Sequence, residues 1–261
     1  MNEVNMNKAE LRARWLAEEQ EPFMGWDFSY LQGRIFEDVP PWDYLQRAAE
    51  LMRTAASVID LDTGGGERFL ELRPYWPPKV VVTEEYPPNV VLASERLKPL
   101  GVQVVDLRLT DFAPMPFAHN EFDLVLNRHA PFNADEVARI LNYGGTFLTQ
   151  QVHGRSGEDL QAVFDAKPQW PNSTLEKYLL RLRAAGLKIV QAKDWSGTQR
   201  FADVGAIVYY LKAVPWLVPD FSVEHCWDAL LSLQRRVERG EELIFSSKRY
   251  YIEARKEQGA L

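Results

Sequence analysis

Ten residues constrain this chain most: Val58-Ile59-Asp60-Leu61-Asp62-Thr63-Gly64-Gly65-Gly66-Glu67. An apolar run ends in an acid, passes into consecutive glycines and resumes as the helical pattern Arg68-Phe69-Leu70-Glu71-Leu72. That order reads as a strand, a tight turn and a helix, with bare backbone where a ligand can approach closely. A helix N-terminus placed there offers unpaired N–H groups to an anionic group. Several nucleotide and cofactor folds share such a turn, so the remaining residues must decide between them.

At 261 residues the chain has room for one large α/β domain or two small ones. Its 46% apolar content suits a sizeable core, and its formal charge of −7 argues against a protein built to hold a nucleic-acid backbone. The first residues, Met1 to Lys8, lack the apolar stretch of a signal peptide. Runs such as Ala206-Ile207-Val208-Tyr209-Tyr210-Leu211 fall far short of the roughly 20 residues a membrane span needs. Cys226 is the only cysteine, so no internal disulfide forms. The expectation is a cytoplasmic protein with no nucleic-acid or membrane partner; the oligomeric state stays open.

From Ser57 onward short apolar strands alternate with helical segments. Strands are expected at 58–61, 79–83, 102–105, 122–126 and 146–150, with helices near 66–73, 89–99 and 133–141. Uniformly apolar strands joined by helices imply a doubly wound, mostly parallel α/β sheet covered on both faces. Helices are also expected at 6–20 and 41–54, and at 173–185 with Gly186 as the C-cap. A sixth strand follows at 187–192, helical segments at 203–213 and 222–239, and a β-like run at 243–254. This divides the chain into an N-terminal helical cap at 1–54, a cofactor-binding core at 55–194 and a helical cap insertion at 195–239. A C-terminal edge strand at 240–261 completes the core.

Open parallel sheets bind ligands outside the carboxyl ends of their strands. The second strand ends in Thr83-Glu84-Glu85-Tyr86, where a carboxylate can accept from ribose hydroxyls. Past the third lies Asp111-Phe112-Ala113-Pro114-Met115-Pro116-Phe117, with an acid for an exocyclic amine and Phe112 or Met115 for an adenine face. The fourth ends in Asn127-Arg128-His129, and Tyr143-Gly144-Gly145 precedes the fifth. Asp123 is expected to cap or brace the fourth strand.

These segments, in this order and spacing over about residues 55 to 152, resemble the class I S-adenosylmethionine-dependent methyltransferases. Thr83 to Asn89, Asn127-Arg128-His129, Thr149-Gln150-Gln151-Val152 and Asp203-Val204-Gly205-Ala206 look like a bacterial small-molecule-type subgroup of undefined substrate. The resemblance implies S-adenosyl-L-methionine as cofactor. Asp60, Thr63, Gly64 and Gly66 would line its methionine part, Glu84 its ribose, and Asp111 with Phe112 its adenine; Asn127 belongs to the same set. Asp62 stands where the family usually has glycine. It would turn outward, bind the cofactor's ammonium, or weaken binding.

Methyl transfer is an in-line displacement that needs positioning and, for some acceptors, removal of a proton. His129, at the end of the fourth strand, is the first candidate base because imidazole titrates near neutrality; His153 is the second. Each histidine has an alternative structural reading. Gln150 and Gln151 are candidate donors to a small-molecule acceptor, Arg200 and Asp203 candidate charges from the cap, and Trp26 and Tyr30 candidate aromatic roof residues. His119, His129, His153 and His225 lack ligand spacing, so no metal site is expected. Two other readings stay open: a degenerate methyltransferase fold used for binding, kept alive by Asp62, and a nicotinamide-dependent oxidoreductase, which leaves the 111–117 and 143–145 segments without a role.

Overall fold

A computed structural model describes residues 7–24, 26–108 and 114–257. In chain order the elements begin with α1 (Lys8–Gln20), β1 (Ile35–Glu37), α2 (Tyr44–Met52), β2 (Ser57–Leu61) and α3 (Glu67–Leu70). Then come β3 (Lys79–Glu84), α4 (Pro87–Leu97), β4 (Gln103–Asp106), β5 (Phe122–Arg128), α5 (Ala134–Ile140) and β6 (Leu141–Val152). The chain closes with α6 (Glu158–Val163), α7 (Leu175–Ala184), β7 (Leu187–Phe201), α8 (Val204–Ala213), α9 (Trp227–Glu238) and β8 (Leu243–Lys256). Local chemistry sets several of these ends. Asn7 and Glu10 form a reciprocal capping box on α1, Asp43 caps α2, and Pro87-Pro88 open α4 where their missing N–H groups cost nothing.

The eight strands form one sheet in the order β1-β7-β8-β6-β5-β2-β3-β4. From β6 to β4 every pairing is parallel; β8 runs antiparallel to β6 and β1 antiparallel to β7. The chain winds outward from β2 to β4, then returns to place β5 on the other side of β2. The β2/β5 boundary is therefore the topological switch point, the place at the strands' carboxyl ends where open α/β sheets bind ligands.

Two compact units emerge, neither contiguous in sequence. One comprises residues 40–153, 172–195 and 249–261, the other 1–39, 154–171 and 196–248. In the larger unit, alternate residues of each strand face opposite cores. Ile59, Leu61, Val81 and Val125 join Val137 and Ile140 of α5 and Leu182 of α7 on one side. Val58, Val80, Val82, Leu124 and Leu126 join Ala48 and Met52 of α2 and Ala93 and Leu97 of α4 on the other. Both faces are covered, as the apolar strands predict. The smaller unit has its own core, in which Leu11 and Trp15 of α1 pack with Ile207, Val208 and Leu211 of α8 and Leu230 and Leu233 of α9.

Two expectations need correction. The C-terminal run 240–261 does not supply an edge strand, because β8 lies between β7 and β6. Tyr250, Ile252 and Ala254 enter one core and Tyr251 the other, so both faces of this strand are covered. The sixth strand does not stop at 192 but continues through the start of the expected helical insertion to Phe201. Its extension, Lys193 to Arg200, is polar and only partly covered, so it carries no apolar signal. Among the described residues no helix is long and apolar enough to cross a membrane, and no group of three or more His, Cys, Asp or Glu side chains is arranged to hold a metal ion.

Candidate functional site

The glycine turn follows β2 directly. Gly64 and Gly66 have φ of 67° and 82°, in the left-handed region that glycine enters without strain. A Cβ on Gly66 would lie 2.9 Å from the buried Leu97 side chain, so packing adds to the backbone requirement there. Asp62 itself has φ of 63°. A glycine at this position would answer a backbone requirement, and aspartate is among the few other residues that meet it at modest cost. The Asp62 N–H donates to Thr83 Oγ1 at 3.0 Å, tying the turn to β3.

Three carboxylates converge around this turn. Burial pushes Asp60 up to about 7, and the nearby Glu84 charge adds to that rise. Asp62 is also pushed up to about 7, by burial first and then by Glu84 and Glu85. Both side chains nevertheless keep some contact with solvent. Carboxylates so desolvated would be relieved by a cation. Glu84 is almost wholly buried, at 3% exposure. Its Oε2 accepts from the Gly64 N–H at 2.6 Å, and its Oε1 accepts from the N–H groups of Glu85 and Tyr86 at 3.1 and 2.9 Å. Glu84 thus holds the turn, leaving only its remaining lone pairs for a ribose. The buried Thr63 hydroxyl lies beside the Asp60 carboxylate, where it favours the ionised form, as does the Arg128 charge. Asp111 and Phe112 lie outside the described residues.

Across the switch point, β5 ends in Arg128 and His129. His129 has φ of 60° and is held by its N–H, which donates to the Gln150 carbonyl at 2.8 Å. Its Nε2 lies 2.9 Å from Gln150 Nε2, and Gln150 Oε1 accepts from the Trp42 indole at 2.7 Å. Burial, then the charges of Arg128 and Arg249, hold the imidazole pKa well below its usual range. As a residue His129 still keeps contact with solvent, as Asp60 does in part.

Other expected residues are committed elsewhere. Asn127 is buried, and its Oδ1 accepts from Thr149 Oγ1 at 3.0 Å and from Gln151. Gln151 also donates to the Ala130 carbonyl at 3.0 Å, so both amides brace β5 against β6 rather than face a ligand. His153, one residue past β6, packs edge-on against Tyr250 with ring centroids 6.4 Å apart. It lies three residues beyond Gln150, roughly 10 Å farther along the strand than His129's partner.

In the smaller unit, Asp203 caps α8 and binds Arg34 through both oxygens, at 2.7 and 3.0 Å. Arg34 also binds the buried Glu18 at 2.7 Å, making a structural clamp. Arg200 stacks its guanidinium 4.2 Å from the Phe36 ring centroid. Trp26 packs with Phe28 and Trp216, and Tyr30 lies against Tyr209. Asp123 braces its strand as expected, accepting from the N–H groups of Ala56 and Ser57 and from the Asn142 amide. Sequence reasoning missed the roles of Thr83, Trp42 and Arg128. Only Arg128, a charge beside a candidate base, carried a signal.

Residues 59–149 match the family described as "Methyltransferase domain". No curated protein matches the chain by sequence. A Bacillus halodurans structure described as a candidate methyltransferase is 18% identical, with a TM-score of 0.56 over 82% of this chain and 97% of that one. The YcgJ protein of Bacillus subtilis is also 18% identical, at 0.56 over 83% and 99%. A functionally unknown protein of Deinococcus radiodurans is 14% identical, at 0.55 over 95% and 98%. Residues 59–149 are thus similar in sequence to the methyltransferase-domain family, and the chain shares the α/β fold of these solved structures.

Proposed function

We propose that this protein transfers a methyl group from S-adenosyl-L-methionine to a small-molecule acceptor. The observation that carries the reading is the glycine turn at the switch point, set among the Asp60, Asp62 and Glu84 carboxylates. The donor set fits the cofactor's charges. Asp62 is a carboxylate with no cation acting on it and Asp60 has only the unpaired Arg128 charge, so an ammonium or sulfonium beside them would favour their ionised forms. Gly64 to Gly66 leave the turn's backbone free of side chains, and the Thr63 hydroxyl beside Asp60 is a further polar group there.

Bound there, the cofactor supplies a methyl group activated by its positive sulfur. The chain's part is to bind and orient. Asp60 and Asp62 anchor the cationic amino-acid end, while Glu84 and Thr83 hold the turn's shape. The end of β5 presents Arg128 and His129 on the other side of the switch point, where an acceptor would approach.

Thermal melting with S-adenosylhomocysteine and with NADH tests this reading. A ligand at 100 times its Kd that binds only the folded state adds about 2.7 kcal/mol, a shift of several degrees. Stabilisation by S-adenosylhomocysteine alone is expected. Stabilisation by NADH alone would replace the reading with the dehydrogenase alternative.

A further inference from the structure

The end of β5 holds a guanidinium, that of the half-buried Arg128, which no described residue meets at hydrogen-bond or ion-pair distance. Burial lowers its pKa, and the charges of Arg68 and Arg249 act in the same direction. Asp60 and the Tyr44 hydroxyl act the other way without reaching ion-pair distance. A partly desolvated, unpaired guanidinium is costly, and the cost is recovered when an anion joins it. Arginine presents a planar fork of donors suited to two oxygens of one group.

The neighbouring His129 is held as a donor aimed from the same strand end. Trp42 Nε1 can only donate, so the oxygen 2.7 Å away fixes which end of the Gln150 amide is which. The Gln150 nitrogen, which also only donates, therefore faces His129 Nε2 at 2.9 Å. His129 Nε2 must accept, and the ring proton sits on Nδ1. With one nitrogen occupied and the other already protonated, this imidazole is built to give a hydrogen bond rather than to take a proton.

We infer that Arg128 and the His129 Nδ1–H form an anion subsite that recognises a carboxylate-type group on the methyl acceptor. Gln150 and Trp42 are positioning residues that fix the His129 tautomer. The identity of the ligand as acceptor rests on the methyltransferase reading; the subsite itself does not. A carboxylate could also come from the cofactor's amino-acid end, but the carboxylates of Asp60 and Asp62 crowd that side with like charge. The acceptor is the better source.

The test uses 15N-labelled protein with benzoate and its neutral isostere benzamide as probes, with and without saturating S-adenosylhomocysteine. The His129 ring is expected to show a protonated Nδ1 and an unprotonated Nε2 through neutral pH, and Trp42→Phe to mix the tautomers. Benzoate should shift the ring signals where benzamide does not. Arg128→Gln should weaken benzoate by about tenfold or more, Arg128→Lys should retain part of that binding, and S-adenosylhomocysteine affinity should change by less than about twofold. A protonated Nε2, or equal binding of benzoate and benzamide, would overturn the subsite. Loss of S-adenosylhomocysteine binding in Arg128→Gln, with no benzoate bound to the saturated protein, would assign the arginine to the cofactor instead. If S-adenosylhomocysteine fails to bind native protein while benzoate still does, the methyltransferase reading falls and the anion subsite stands.

Discussion

Asp62→Asn isolates the electrostatics of the glycine turn. Asparagine tolerates the left-handed backbone at φ of 63° as aspartate does, so the substitution removes the carboxylate with little change in strain. The folded-state pKa of about 7 stands above the unfolded value of 3.8. Below about pH 4 both states are protonated and the group costs nothing. As pH rises from there to about 7, the unfolded chain ionises first and stability falls; above 7 the loss is complete. The full gap corresponds to about 4 kcal/mol, of which about 2.6 kcal/mol accrues between pH 5 and pH 8. Asp62 keeps partial solvent contact, so we discount that to about 1 kcal/mol. Urea unfolding of both proteins at pH 5 and pH 8 measures it. The Asn variant should gain about 1 kcal/mol more, relative to native protein, at pH 8 than at pH 5. An equal difference at the two pH values, or a larger gain at pH 5, would refute the argument that this carboxylate is buried without a cation.

Glu84→Gln replaces a charged acceptor of three N–H groups with a neutral one. It should destabilise by about 1–3 kcal/mol in urea unfolding and weaken S-adenosylhomocysteine in calorimetry. Arg34→Met strands the buried Glu18 and loosens the Asp203 cap, and should cost about 2–4 kcal/mol by the same unfolding measurement. The affinity of S-adenosyl-L-methionine should rise from pH 6 to pH 8 in titrations. Asp60 and Asp62 hold protons in the free protein that a cationic ligand releases.

Where a sequence pattern answered to burial, it could be read. The runs Val58–Leu61, Val80-Val81-Val82 and Leu124-Val125-Leu126 are apolar on both faces because helices cover both, and each is a central strand. Asp123 could be read as a brace because it sits where a strand end leaves N–H groups unpaired. Long-range pairing was not legible: Tyr250, Tyr251, Ile252 and Ala254 look the same in an edge or an interior strand until the sheet order is known. Polar strand residues such as Thr198 and Gln199 carry no apolar period, so the extension of β7 and its partner β1 left no trace. At the site, type and position of residues suggested contact with ligand, but amides and carboxylates also serve the fold. Gln151, Asn127 and Asp203 are bound inside it, and only coordinates separate that use from a ligand's. Asp62 is the reverse case. It looked like a defect in a glycine motif, and its positive φ shows why aspartate can stand there.

Calorimetric titration of the full chain with S-adenosyl-L-methionine and S-adenosylhomocysteine tests the central claim most directly. Near pH 7, the account predicts roughly micromolar binding of both, about 8 kcal/mol, with proton release when the cationic cofactor binds. Absence of binding up to roughly millimolar concentrations would contradict it, and would leave a methyltransferase fold whose acidic turn serves some other ligand.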